Sequence, residues 1–157
     1  MRNGKILCAH DLTPTSASAL ALALDLGRRL GVGVCVLHVA AAPYPPRPLF
    51  AAPTVEDLEI ATGVPVREEV AALARLQDEL ATWDGGSQAE TEVRHGVPAD
   101  VVAEVARELG ASLVVVGMRA RSTRQALLGS VSESIVRSSP CPVVVARTDG
   151  AGAAGGA

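Results

Sequence analysis

Apolar and polar positions along this chain follow two alternating periods. Short, almost wholly apolar runs recur at residues 5–10 (KILCAH), 33–39 (GVCVLHV), 112–117 (SLVVVG) and 141–147 (CPVVVAR). Runs apolar on both faces are the mark of strands buried in a parallel sheet. A more polar run, 89–94 (AETEVR), fits a strand at a sheet edge. Between the runs the apolar residues fall at helical spacing: Ala17, Leu20, Leu24 and Gly27, then Val70, Leu73, Gln77 and Leu80, then Val101, Val102, Val105 and Leu109. Residues 130–138 supply a fourth helical segment.

Strand and helix therefore alternate, which predicts an α/β fold: an open, doubly wound, five-stranded parallel sheet with helices on both faces. Right-handed crossovers give the strand order 3-2-1-4-5. The order then reverses between strands one and four, and ligands of such sheets sit beyond the carboxyl ends of the strands at that point. Asp11, at the end of strand one, is thereby expected beside Gly117, at the end of strand four.

Local signals agree with these boundaries. Thr13-Pro14 starts the first helix and Gly31 closes it; Gly85-Gly86 ends the second, Pro98 opens the third and Gly110 stops it. Residues 40–66 form a long connection holding six of the ten prolines, with a weak helical pattern over 54–62. Tyr44 and Phe50 are expected to pack it down. The Gly/Ala tail 148–157 is expected to be disordered.

The chemistry concentrates in 113–147. An apolar run ends on Gly117; Arg119, Arg121 and Arg124 follow; then Gly129 and Ser130 open a helix. A helix N-terminus carries unpaired N–H groups and about half a positive charge. Glycine admits close backbone approach, and guanidinium forks suit phosphate. The same residues also read more simply. Ser130 and Glu133 have the spacing of a capping box, and the arginines fit a solvated loop.

Composition narrows the field. With 157 residues, 48% hydrophobic and 20% charged, the chain is long enough for one domain with a real core. Aromatics are 2%, which leaves no platform for stacking bases, and a net charge of -3 gives no pull toward nucleic acid or acidic membranes. No secretory signal or membrane-length apolar run is seen, so the expected place is the cytoplasm. Cys8, Cys35 and Cys141 lie in apolar runs without metal spacing, as reduced, buried thiols would. His10, His38 and His95 fall near strand ends on one side of the sheet, but no carboxylates cluster with them in the sequence, so no metal is expected.

The segments KILCAHDLTPTSASALALALDLGRRLG, VCVLHV, HGVPADVVAEVARELGASLVVVGMR and LLGSVSESIVRSSPCPVVVAR resemble the universal stress protein family, single-domain type, from Lys5 to Arg147. The resemblance implies one such domain over residues 1–147. Members that bind ATP share a motif: Gly, two residues, Gly, nine residues, Gly, then Ser or Thr. Gly117 matches its first glycine and Gly129-Ser130 its end; Ala120 replaces the second glycine, and eight residues rather than nine lead on to Gly129. Carried over, Asp11 and the backbone of Val39 would hold the adenine and ribose side. Gly117, Gly129, Ser130, Val131 and Ser132 would hold ribose and phosphates, with Arg119 and Ala120 in the loop between. ATP or a related adenine nucleotide, with magnesium, is the cofactor expected.

Catalysis finds little support. Neither a nucleophile elbow nor a P-loop lysine motif occurs, and no lysine stands in the candidate loop. The expected function is that of a nucleotide-responsive regulatory protein acting on a protein partner, with slow ATP hydrolysis at most. The alternative is a dimeric interaction protein of the same fold that has lost nucleotide binding, as Ala120 and the short loop suggest. The apolar fifth strand, at a sheet edge, is expected to join a homodimer.

Overall fold

The computed structural model describes residues 4–40, 64–118 and 129–147. Its strands are β1 (Ile6–Ala9), β2 (Val34–Ala40), β3 (Glu90–His95), β4 (Leu113–Met118) and β5 (Val143–Arg147). All pair in parallel, in the order β3-β2-β1-β4-β5, as the apolar runs predict. The polar strand β3 is one edge and β5 the other.

Helices α1 (Pro14–Leu30) and α2 (Val64–Ala81) cover one face; α3 (Pro98–Glu108) and α4 (Ser130–Ser138) cover the other. The pleat divides each central strand between two cores. Ile6 and Cys8 join Leu20, Leu24, Leu76 and Leu80 under α1 and α2. Leu7, Leu37 and Val116 join Val102, Val105 and Ile135 under α3 and α4. Burial of a leucine or valine of this kind stabilises by about 1.5–3 kcal/mol. Gly31 closes α1 in the left-handed conformation, φ 65°, which glycine reaches without penalty.

Two helix details differ from expectation. On α2, Val70 and Gln77 face solvent; the buried row is Ala72, Leu76 and Leu80, with Leu73 half-buried. Spacing of four residues along that row removes two leucines and an alanine from water without burying the Gln77 amide. On α4, Gly129 rather than Ser130 occupies the cap position, and among the described residues no side chain caps the helix. Ser130 is the first helical residue, and Glu133 pairs with Arg137 one turn on, so the capping-box spacing serves no cap. Cys8 and Cys35 are buried, and burial pushes their thiols up to about 12 and about 11; Cys141 is only half-buried. The expectations for 41–63, for the 119–128 loop and for the 148–157 tail concern residues outside those described.

Candidate functional site

β1 pairs with β2 on one side and β4 on the other, so the strand order reverses between β1 and β4. Beyond the carboxyl ends of these strands lies a cleft of about 200 Å³. Asp11, Val39, Gly117, Val131 and Ser132, five of the residues singled out in the sequence, line it together. Gly129 and Ser130 stand just before Val131, at the start of α4. Arg119 and Ala120 fall outside the described residues. The cleft floor is apolar, with Ala9, Leu37, Val102, Val116 and Ile135.

The lip after β1 is a tight corner. Oδ1 of Asp11 accepts hydrogen bonds from Thr13 N at 3.0 Å, Thr13 Oγ1 at 2.5 Å and Ser16 Oγ at 2.5 Å. Thr13, expected as a side-chain cap of α1, makes no such cap and donates to Asp11 instead. Among the described residues every bond to this carboxylate falls on Oδ1, and Oδ2 is left over. Burial pushes the Asp11 carboxyl up, but the Ser16 and Thr13 donors outweigh it and hold it below the ordinary carboxylate value. Asp11 is thus a fixed negative charge at neutral pH.

Leu12 next door has φ 61°, the one non-glycine residue at positive φ among those described. That conformation costs a branched residue about 1–2 kcal/mol. It is held from two sides. Leu12 N donates to Nδ1 of His10 at 3.1 Å, and Arg75 Nη2 from α2 donates to the Leu12 carbonyl at 3.1 Å. Because Nδ1 accepts, the ring proton of His10 sits on Nε2 and faces Glu79 Oε1 at 3.3 Å. Burial holds this imidazole below its usual range, against the opposite pull of Glu79 and Asp11. Nδ1 of His38 donates to the His10 carbonyl at 2.9 Å.

The described part of the lip after β4 is Gly117, Met118 and the start of α4. A Cβ on Gly117 would stand 2.9 Å from the Thr15 carbonyl oxygen, so glycine is needed for α1 to approach β4. Ser132 Oγ donates to the Gly117 carbonyl at 3.1 Å and ties α4 to β4. No described heavy atom lies within 4 Å of a Cβ built on Gly129, whose backbone is extended. The first N–H groups of α4 have no partner within the helix. Among the described residues nothing blocks the approach of an anion to Gly129 and Ser130.

His10, Arg75 and Glu79 are site-forming residues that the sequence does not single out; for His10 it speaks only against a metal. A signal existed for Glu79: a carboxylate flanked by the buried Leu76 and Leu80 must find a partner. A larger groove of about 550 Å³ opens at the amino ends of the strands. It is walled by Gly27, Gly31, Gly33 and Gly85 and by the exposed Arg28–Asp84 pair. None of the residues singled out in the sequence reaches it. Among the described residues no three or more His, Cys, Asp or Glu side chains gather as a metal site would require, and no helix is long and apolar enough to cross a membrane.

Residues 2–147 match the sequence model of the Universal stress protein family. Universal stress protein YxiE of Bacillus subtilis is 33% identical over 155 residues, covering 91% of this chain and 98% of that one. Among solved structures, universal stress protein UspA from Lactobacillus plantarum superposes with a TM-score of 0.64 at 22% identity, over 94% of this chain and 99% of that one. A universal stress protein solved in complex with cAMP superposes with a TM-score of 0.61 at 18% identity, over 93% and 98% of the two chains. At such identities the two structures establish the shared fold.

Proposed function

This chain belongs to the universal stress protein family, and we propose that within it the protein is a regulator that binds ATP or a related adenine nucleotide between β1 and β4. The observation that carries this reading is the cleft itself. Among the described residues, a fixed carboxylate with one uncommitted oxygen lines the same cleft as the start of a helix that no side chain caps, over an apolar floor suited to a flat base. The fold relative bound to cAMP supports an adenine nucleotide as the ligand class. In this reading Asp11 and the Val39 backbone hold the base and ribose, while Gly117, Gly129, Ser130, Val131 and Ser132 hold ribose and phosphates. Arg119 and Ala120 lie in the connecting loop, and magnesium accompanies the phosphates.

The protein acts by binding rather than by turnover. Among the described residues the cleft contains no lysine and no cluster of carboxylates to drive phosphoryl transfer. The nucleotide-bound protein signals to a protein partner as a homodimer joined through the β5 edge; sedimentation as a monomer at micromolar concentration contradicts that assembly.

Calorimetric titration of nucleotide-stripped protein with MgATP, beside Gly129→Asp, tests the site. Asp at a helix cap position is well tolerated, but its carboxylate opposes phosphate. Micromolar binding that the substitution weakens by about tenfold or more, some 1.4 kcal/mol, is expected. Absence of binding in both proteins points to the alternative, an interaction protein whose Ala120 and shortened loop have closed the site.

A further inference from the structure

We propose that His10 is a positioning residue for the cleft: its neutral ring fixes the Asp11–Leu12 corner, helix α2 holds that ring, and nucleotide affinity falls when Nδ1 takes up a proton. The inference rests on the nucleotide-binding reading above and adds a means of regulating that site.

The argument begins with donors and acceptors. A neutral imidazole has one of each; an imidazolium has two donors and no acceptor. In this corner both ring nitrogens are engaged, Nδ1 accepting from Leu12 N and Nε2 facing Glu79. The ring is fully buried, so it cannot turn outward to find water. A proton added at Nδ1 sets that nitrogen against the Leu12 N–H, donor against donor at 3.1 Å. Leu12 is then without the bond that offsets its left-handed backbone. Asp11 lies between the two residues in sequence, and its own amide is tied to Ser16 Oγ. Movement of Leu12 therefore disturbs both the donors on Asp11 and the direction of its free oxygen.

Charged and titratable groups reach this ring from several elements. Glu79 comes from α2, His38 from β2 and Asp11 from the corner itself, while Arg75 of α2 reaches the neighbouring Leu12 carbonyl. Glu79 and Asp11 favour the protonated ring, whereas burial and His38 oppose it, and burial is the strongest influence. The net effect is a ring that stays neutral at pH 7 and charges only below the ordinary histidine value of about 6.5. The sign follows. Affinity is flat above that value and is lost as pH falls through the lower value of the folded protein. Fold stability changes in the same direction, since the unfolded chain takes up this proton more readily. Because α2 supplies both Glu79 and Arg75, displacement of α2 would loosen the corner from the opposite side.

MgATP affinity measured at about pH 8 and about pH 5.5 for the native protein and His10→Asn tests the idea. The Asn Oδ1 takes the place of Nδ1 as an acceptor that does not titrate in this range. At the higher pH the two proteins should bind within about threefold of each other. At the lower pH the native protein should lose more affinity than the variant, by a factor below about tenfold because the His10 midpoint lies under about 6.5, the titration of ATP being common to both. Equal losses overturn the proposal. A ligand-free measurement keeps the corner and the nucleotide separate. Imidazole nitrogen resonances should show the Nε2–H tautomer, and the Asp11 and Leu12 amides should shift with the His10 midpoint in the native protein only. If neither protein binds MgATP, the nucleotide reading fails, and these amides decide the role of His10: shifts that follow the ring support it, and shifts independent of the ring overturn it.

Discussion

After β1, Asp11 Oδ1 receives three hydrogen bonds, and Leu12 is held by both His10 and Arg75. After β4, Ser132 donates to the Gly117 carbonyl and ties the start of α4, and Gly129 has no described neighbour within 4 Å of its Cβ position. Among the described residues the two lips of one cleft thus differ in how far their polar groups are already committed. A group that holds the protein together is not available to a ligand, whereas an uncapped helix terminus in open space is. The β1 lip supplies shape and one fixed charge; on the β4 lip the first N–H groups of α4 have no partner among the described residues. Substitutions should separate accordingly, with stability lost along the first lip and binding lost at the outer part of the second.

The largest stability effect is expected at Gly117, where the two lips meet. A methyl group there would stand 2.9 Å from the Thr15 carbonyl, and both partners are backbone. Gly117→Ala should destabilise the fold by about 1–3 kcal/mol through forced separation of α1 and β4. Urea unfolding measures this directly. An unchanged midpoint would mean that α1 approaches β4 less closely than the geometry requires, and the β4 lip would then be open along its whole length.

Asp11→Ala comes next. It leaves the Thr13 amide, the Thr13 hydroxyl and the Ser16 hydroxyl without their acceptor. Water can reach this exposed residue, so the cost should be about 1–2 kcal/mol rather than that of a buried loss. The same variant should lower MgATP affinity, so stability and binding fall together on this side. Loss of binding alone, at full stability, would contradict the view that this carboxylate also serves the fold.

Much of this organisation was legible in the sequence, and the exceptions have a common cause. The apolar runs at Ile6, Val34 and Leu113 specify strands because each is buried on both faces, a property of the residues themselves. Chirality and the reversal of strand order then brought Asp11 to Gly117 across about a hundred positions of sequence. The buried row of α2 is ambiguous in the sequence because Val70, Leu73 and Ala72 compete at similar spacing, and only packing against the sheet selects Ala72. His10 and Leu12 were illegible for another reason. A left-handed leucine has no sequence mark of the kind a glycine or asparagine would give, and it exists only because His10, Arg75 and Glu79 converge from β1 and α2. Capping by Ser130 failed at the level of a single residue: the pattern Ser-x-x-Glu was present, but the helix begins one position earlier than that pattern assumes.

The smallest stability effect should come from Gly129→Asp, and it should be a gain. Gly129 is the residue before α4, with φ −61° and ψ 154°, a conformation open to any side chain. Aspartate there can accept from the first N–H groups of α4 and complement the positive end of the helix, which favours it over glycine by a few tenths of a kcal/mol. No described atom stands in its way. The substitution that most directly opposes phosphate should therefore leave the thermal midpoint equal or slightly higher. This pairing of undiminished stability with lost MgATP binding distinguishes a terminus left uncapped for a ligand from one that is merely unoptimised. In the second case the gain in stability would appear with no change in MgATP affinity, and the contrast between the two lips would reflect packing alone.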